Sequence, residues 1–266
     1  MTSLDSKISH AFAKDGALAQ CIDGYDEREV QTEMALAVGK AIEEKQQLVV
    51  EAQTGTGKTF AYLISAMLSG AKTIVSTGTK ALQDQLYYKD LPLVKKALNT
   101  PIKTALLKGR ANYLCIDRFR KLQQQGASHN DQIEHDLIQI KRWSGHTLTG
   151  DLGDVPGVNE SSMAFSLVTS SSDNCSGKKC EHYDDCYLLR ARRLAMDADL
   201  IVVNHHLFFA DMALKDTGFG ELIPASEMVI FDEAHQIPDI ACGYFGESLS
   251  TKTIKELAVD ISHVYY

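Results

Sequence analysis

The sequence predicts an α/β chain, a parallel sheet with helical crossovers that carries an inserted and mainly helical subdomain. Three observations lead there. Short continuous apolar runs recur at residues 48–50, 73–75, 200–203 and 228–231, the texture of strands buried on both faces. Between the first two, Phe60, Leu63, Ile64 and Met67 fall at helical spacing. Residues 108–197 then lose this texture over a stretch too long for a structureless loop inside a compact domain.

Taken in order, a helical stretch at 35–42 leads into the first expected strand, Leu48, Val49 and Val50. A Gly/Thr-rich loop follows at 53–57, then a helix over 58–68 and a strand at 73–75. The inserted region holds a polar tract (123–131), a Gly/Asp-rich stretch (145–157), three serines (Ser170, Ser171, Ser172) and four of the six cysteines. The strands at 200–203 and 228–231 resume the sheet. A fresh helical pattern, Ile254, Leu257 and Ile261, then reaches Tyr266 without a stop signal, so the chain is expected to be truncated. The expected division is 1–107 and 198–244 for the main domain, 108–197 for the insertion and 245–266 for the start of a second helical insertion.

Composition removes several classes. With 44% hydrophobic and 23% charged residues the chain reads as globular, not disordered or coiled coil. No uncharged apolar run approaches the roughly 20 residues of a membrane span, and the start MTSLDSK lacks a signal pattern. A cytoplasmic protein without a membrane partner is expected. The net charge of −8 argues against a basic coat for nucleic acid but leaves room for a local path. Residues 108–193 hold 12 Lys and Arg against 11 Asp and Glu, so the acidity lies elsewhere.

The sharpest motif is the octet at 52–59, AQTGTGKT. Ala52 stands where the strict phosphate-loop pattern has Gly, but the remainder fits. Gly55 and Gly57 let backbone N–H groups turn onto phosphate at the positive end of the following helix. Lys58 would reach the β- and γ-phosphates and the Thr59 hydroxyl would ligate Mg²⁺. Gln53, Thr54, Gly55, Thr56, Gly57, Lys58 and Thr59 are the expected nucleotide-binding set. Asp232 and Glu233 follow the run 228–231, where carboxylates would project from the sheet's carboxyl edge. Asp232 would hold Mg²⁺, and Glu233 would deprotonate the attacking water, with Lys58 as third catalytic group.

The loop AQTGTGKT and the box DEAH at 232–235 resemble motifs I and II of superfamily 2 helicases. Lesser segments join them: YDEREVQ at 25–31, STGTKALQDQL at 76–86, KGRANYLC at 108–115 and VNHHLFFAD at 203–211. Together they are similar to the bacterial XPD/DinG iron–sulfur helicases, and most to their YoaA type. The resemblance implies a RecA-like P-loop motor domain with an iron–sulfur insertion. It implies an ATP-dependent helicase or translocase moving 5′→3′ on single-stranded or forked DNA in replication or repair. It places Arg28 and Gln31 near the adenine, Thr77, Gly78 and Thr79 on the DNA backbone, and His235 between nucleotide and DNA states. A second motor domain with an arginine finger is expected but absent from the sequence, so weak nucleotide binding and poor hydrolysis are expected of this chain. An accessory subunit of the replicative polymerase is the partner it suggests. Gln53 departs from the branch, which carries Gly there.

Cys115, Cys175, Cys180 and Cys186 are spaced C-x59-C-x4-C-x5-C. Four thiolates suit a [4Fe–4S] cluster or tetrahedral zinc, and spacing does not choose. The resemblance selects the cluster, with zinc second. Few apolar residues in the insertion suggest metal–thiolate bonds in place of a core. Cys21 and Cys242 read as ordinary small apolar residues. Arg110, Tyr113, Arg118, Phe119 and Arg120 mix cations and rings as a single-strand groove does, and Arg190, Arg192 and Arg193 form a second basic patch. Solvated helix faces would look the same. Adjacent His205 and His206 suit packing or DNA contact better than one metal ion, and Trp143 suits the insertion's core. Two other functions fit: a nucleic-acid-binding metal module whose P-loop is a nucleotide switch without unwinding, and a redox sensor.

Overall fold

A computed structural model of the chain describes residues 3–53, 55–125, 130–216, 218, 221–247 and 251. Four strands, β1 (Thr73–Thr77), β2 (Thr104–Leu106), β3 (Leu200–Asn204) and β4 (Met228–Phe231), form an all-parallel sheet in the order β2-β3-β1-β4. Val75 stands opposite Val202 on one side and Ile230 on the other, so every carboxyl end reaches the same edge.

The helices are α1 (Leu4–Phe12), α2 (Glu29–Glu43), α3 (Lys58–Ser69), α4 (Lys80–Gln85), α5 (Leu91–Leu98), α6 (Ile116–Gln125), α7 (Asp131–Ser144), α8 (Met163–Val168), α9 (Tyr187–Met196), α10 (His205–Asp216) and α11 (Ile237–Phe245). Strand alternation sorts the sheet's side chains onto two covered faces. Val75, Leu200 and Val202 pack with Ile8, Phe12, Leu63, Ile64 and Val94 from α1, α3 and α5. On the other face Ile74, Ile201 and Val203 meet Ala195 of α9, Leu207 of α10 and Ile223. Leu63 and Ile64 are wholly buried, each contributing about 1.5–3 kcal/mol at most. This is the parallel α/β layout expected from the apolar runs.

The first expected strand does not join it. Residues 46–53 carry no ladder pairing, and Leu48 and Val49 are 43% and 96% exposed. Apolarity makes a segment eligible for a sheet, but a strand also needs main-chain pairing, and among the described residues this segment, 46–53, pairs with no strand. Its far end is drawn into the following loop instead, where Lys58 and Thr56 bond the carbonyls of Ala52 and Gln53.

A third apolar cluster, Leu114, Phe119, Ile140, Leu152, Val155, Ala164 and Val168, lies within residues 114–168, with Trp143 packed against it. This corrects the expectation that the insertion lacks a core. Thinly spaced apolar residues on α6, α7 and α8 converge once the helices fold together. The cluster is closed by Leu114 N–H donating to Gly150 O at 2.8 Å and Cys115 N–H to Val168 O at 2.8 Å. Residues 171–179, in contrast, are exposed throughout. The helical pattern at Ile254, Leu257 and Ile261, and most of the span 245–266, lie outside the described residues. Among the described residues no helix is long and apolar enough to cross a membrane.

Lys108 clasps the third cluster to the sheet. Its side chain is 4% exposed, with Nζ 2.7 Å from Asp84 Oδ1 on α4 and 2.6 Å from Asp151 Oδ2. Burial works against the charge, but the two carboxylates outweigh it and hold the ammonium above the ordinary lysine pKa. Removing one member of a buried pair strands the other's charge. Lys108→Met is expected to lower unfolding free energy by about 3 kcal/mol, measured by chemical denaturation. A change within experimental error would show that the clasp is not stabilising.

Candidate nucleotide-binding site

The phosphate loop is built from two left-handed glycines. Gly55 and Gly57 both have φ of 83°, and Gly57 caps α3. At Gly57 the conformation is reinforced by crowding: Gln31 Nε2 donates to Gly57 O at 2.9 Å, and a Cβ on residue 57 would collide with that amide. Arg28 Nη1 donates to Gly55 O at 2.6 Å. The start of α2 therefore grips the loop, placing Arg28 and Gln31 against its backbone, and an open cleft lies beside Arg28, Glu29, Val30, Gly55 and Thr56. Lys58 folds back, Nζ donating to Ala52 O at 2.8 Å, and Thr56 Oγ1 donates to Gln53 O at 2.9 Å. Thr54 lies outside the described residues.

Asp232 arrives from the neighbouring strand. Its N–H donates to Ser76 O at 2.8 Å, extending the β1–β4 ladder by one bond. Glu233 then turns the chain at φ 55°, a left-handed conformation that a non-glycine residue adopts at some cost. His235 Nδ1 stands 3.3 Å from Glu233 Oε2. Burial raises the Asp232 pKa, the Glu233 carboxylate adds to that, and Lys58 and Tyr62 work against it.

The loop 77–79 sits beside this box. Thr77 Oγ1 donates to Thr79 O at 3.2 Å, and Thr79 Oγ1 caps α4 by accepting Leu82 N–H at 3.2 Å. Gly78 faces the Gln236 carboxamide so closely that a Cβ would overlap it. Beneath, His205 is wholly buried, with Nδ1 2.7 Å from Ser76 Oγ. Burial lowers its pKa, while the backbone carbonyls of Asp232 and Glu233 face the ring and work the other way. Its location agrees with the packing role.

The groove residues are less uniform. Tyr113 is 5% exposed and its hydroxyl accepts Lys108 N–H at 3.0 Å, which puts the ring inside rather than on a groove. Phe119 is 8% exposed within the third cluster. Arg118 Nε donates to Leu167 O at 3.3 Å, Arg110 stands near Arg192, and Arg120 is exposed. Of the four cysteines, Cys115, Cys180 and Cys186 are half-buried and Cys175 is exposed. Burial raises the Cys115 thiol pKa, and backbone N–H groups at the start of α6 oppose it. Among the described residues no three His, Cys, Asp or Glu side chains stand close enough together to hold a metal ion.

Four groups of this site escaped the sequence reading. Tyr62 did leave a signal, lying three residues after Thr59 and four after Lys58 on one face of α3. Gln236, the Ser76–His205 pair and the Lys108 clasp depend on contacts between distant segments and left none.

Comparison with known proteins agrees with this geometry. A family model described as DEAD/DEAH box helicase matches residues 29–129. The chain is 54% identical to the ATP-dependent DNA helicase YoaA of Escherichia coli over 254 residues, 96% of this chain and 40% of that protein. It is 51% identical to YoaA of Haemophilus influenzae, covering 98% of this chain and 41% of the relative. The ATP-dependent helicase DinG of Mycobacterium tuberculosis is 34% identical, over 90% of this chain and 38% of its own. The chain therefore spans about two-fifths of the curated relatives it matches. Loop, box and sheet, together with this similarity, show a DEAD/DEAH box helicase domain matched at residues 29–129 and a likeness, over most of the chain, to the proteins of YoaA and DinG type.

Proposed function

We propose that the chain is the nucleotide-binding motor part of an ATP-dependent DNA helicase that moves 5′→3′ on single-stranded or forked DNA in replication or repair. One observation carries this reading: a loop turned by two left-handed glycines opens α3 with Lys58 bonded back onto it, while Asp232 leaves the end of β4 hydrogen-bonded to Ser76 of β1. The α3 N-terminus and the backbone of 55–58 would bind the β- and γ-phosphates, with Lys58 released from Ala52 to pair with them. Thr59 and Asp232 would hold Mg²⁺, which neutralises charge on the transferring phosphoryl group when bound. Glu233 would take the proton of the attacking water. Arg28 and Gln31, bonded to the loop, would carry adenine contacts into its conformation.

The DNA strand would lie along Thr77, Gly78 and Thr79, with Arg110, Arg118 and Arg120 as more distant backbone contacts; Tyr113 would support that path from below. The packing of Gln236 on Gly78, one residue after His235, supports a coupling role for the end of the box.

We assign the [4Fe–4S] cluster to Cys115, Cys180, Cys186 and Cys175, with zinc as second choice. The donor chemistry fits: four thiols, two of them at or just before the starts of α6 and α9. The exposed segment 171–179 buries nothing that would otherwise order it. Drawing the four thiols together would crosslink that segment to the core beside Cys115. The domain limits 108–197 and 245–266, and an accessory polymerase subunit as partner, rest on the family resemblance.

Two experiments test these assignments. Lys58→Ala is expected to weaken Mg·ATP binding about 10- to 100-fold, the loss of a charge-assisted contact of roughly 1.5–3 kcal/mol. Glu233→Gln should keep binding, and calorimetric titration separates the two; equal losses would contradict the division of roles. Anaerobically purified protein should absorb in the visible and hold about four iron atoms per chain. Colourless, zinc-loaded protein would overturn the cluster assignment.

A further inference from the structure

The Tyr62 hydroxyl is an unexplained polar group. The residue is 4% exposed, buried among the apolar side chains of α3 and β1, yet its hydroxyl makes no hydrogen bond of good geometry among the described residues. Buried hydroxyls without partners are uncommon, because the water they lose is not replaced. A phenylalanine would fill the same space without that penalty.

What surrounds the hydroxyl points to its use. Thr59 lies one turn earlier on α3, and Asp232 approaches from the end of β4. Both are close enough to act on the phenol: burial pushes its pKa well above the ordinary value, the Asp232 charge raises it further, and Thr59 opposes this. Asp90 is the other carboxylate that faces it. A hydroxyl can accept one bond and donate another, so Thr59 as donor and Asp232 as acceptor would use Tyr62 fully. Those two side chains are the ones assigned above to Mg²⁺.

We propose that Tyr62 is a positioning residue of the cation site, its hydroxyl accepting from Thr59 and donating to Asp232 so that both present oxygen atoms to the ion. The inference rests on the Mg·ATP reading. Outer partners of this kind orient metal ligands without touching the metal, and their loss is felt in metal affinity. In the ligand-free chain the two bonds are incompletely formed, and drawing Thr59 and Asp232 together around the ion would close them.

The test is the ratio of ATP affinities measured with Mg²⁺ and with chelator, together with the melting midpoint of the ligand-free protein. Tyr62→Phe is expected to reduce that ratio by about 2- to 10-fold relative to wild type, as for one hydrogen bond. Its melting midpoint should equal or exceed the wild-type value, because an unpaired buried hydroxyl has been removed. A lower midpoint with an unchanged ratio would assign the hydroxyl an ordinary structural role and overturn the proposal. An unchanged ratio at any midpoint does the same. ATP binding by the wild type without any Mg²⁺ effect, or no binding at all, would instead refute the nucleotide-site reading, and this inference with it.

Discussion

The parallel pairing of Thr73–Thr77 between its two neighbours is the constraint on which the rest depends. It brings the carboxyl ends of β1, β3 and β4 to one edge, in a register that leaves little freedom. Asp232 bonds to Ser76 directly, and His205, the first residue after β3, reaches the same serine from the other side. A shift of one residue would turn Ser76 and Val75 to opposite faces and expose an apolar row to the polar site. The covered faces on either side prevent that shift, because Val75 and Ile74 belong to different cores.

From that edge two segments meet. The box at 232–235 follows β4, and the loop at 77–79 follows Ser76, the penultimate residue of β1. They touch at Gly78 and Gln236, where the space left by a missing Cβ is filled by a carboxamide. Close packing of this kind has few intermediate arrangements, so movement in one segment must displace the other. Glu233, inside the box, holds a positive φ in the turn that leads from β4 to Gln236.

The third cluster adds a body with its own core, joined through buried charge rather than a continuous apolar layer. Lys108 is bound by one carboxylate from α4 and one from the insertion, so the loop helix and the inserted body share a single cation. Gln83, beside Asp84, donates to Leu107 O at 3.0 Å and to Val202 O at 3.3 Å, tying α4 to the sheet beneath. The cysteine-bearing segment 171–179 is exposed throughout and adds nothing to this apolar burial.

The sequence by itself determined the α/β class, because runs such as Leu200 to Val203 suit only strands covered on both faces. It also determined the phosphate loop and the box, since a glycine at positive φ and a lysine at a helix start are local requirements that leave local residue patterns. Tertiary structure decided whatever needed two distant segments. Leu48 to Val50 has the composition of a strand but pairs with no strand among the described residues, and no property of the segment could reveal that. Tyr113 and Phe119 look like groove residues in a row of cations, yet packing turns both rings inward. Tyr62 bears a tyrosine's ordinary ambiguity until Asp232, 170 positions away in the chain, comes to face its hydroxyl. Periodicity and short motifs report what a residue does within its own turn or strand, whereas burial and pairing belong to the contact and appear only when both sides are in place.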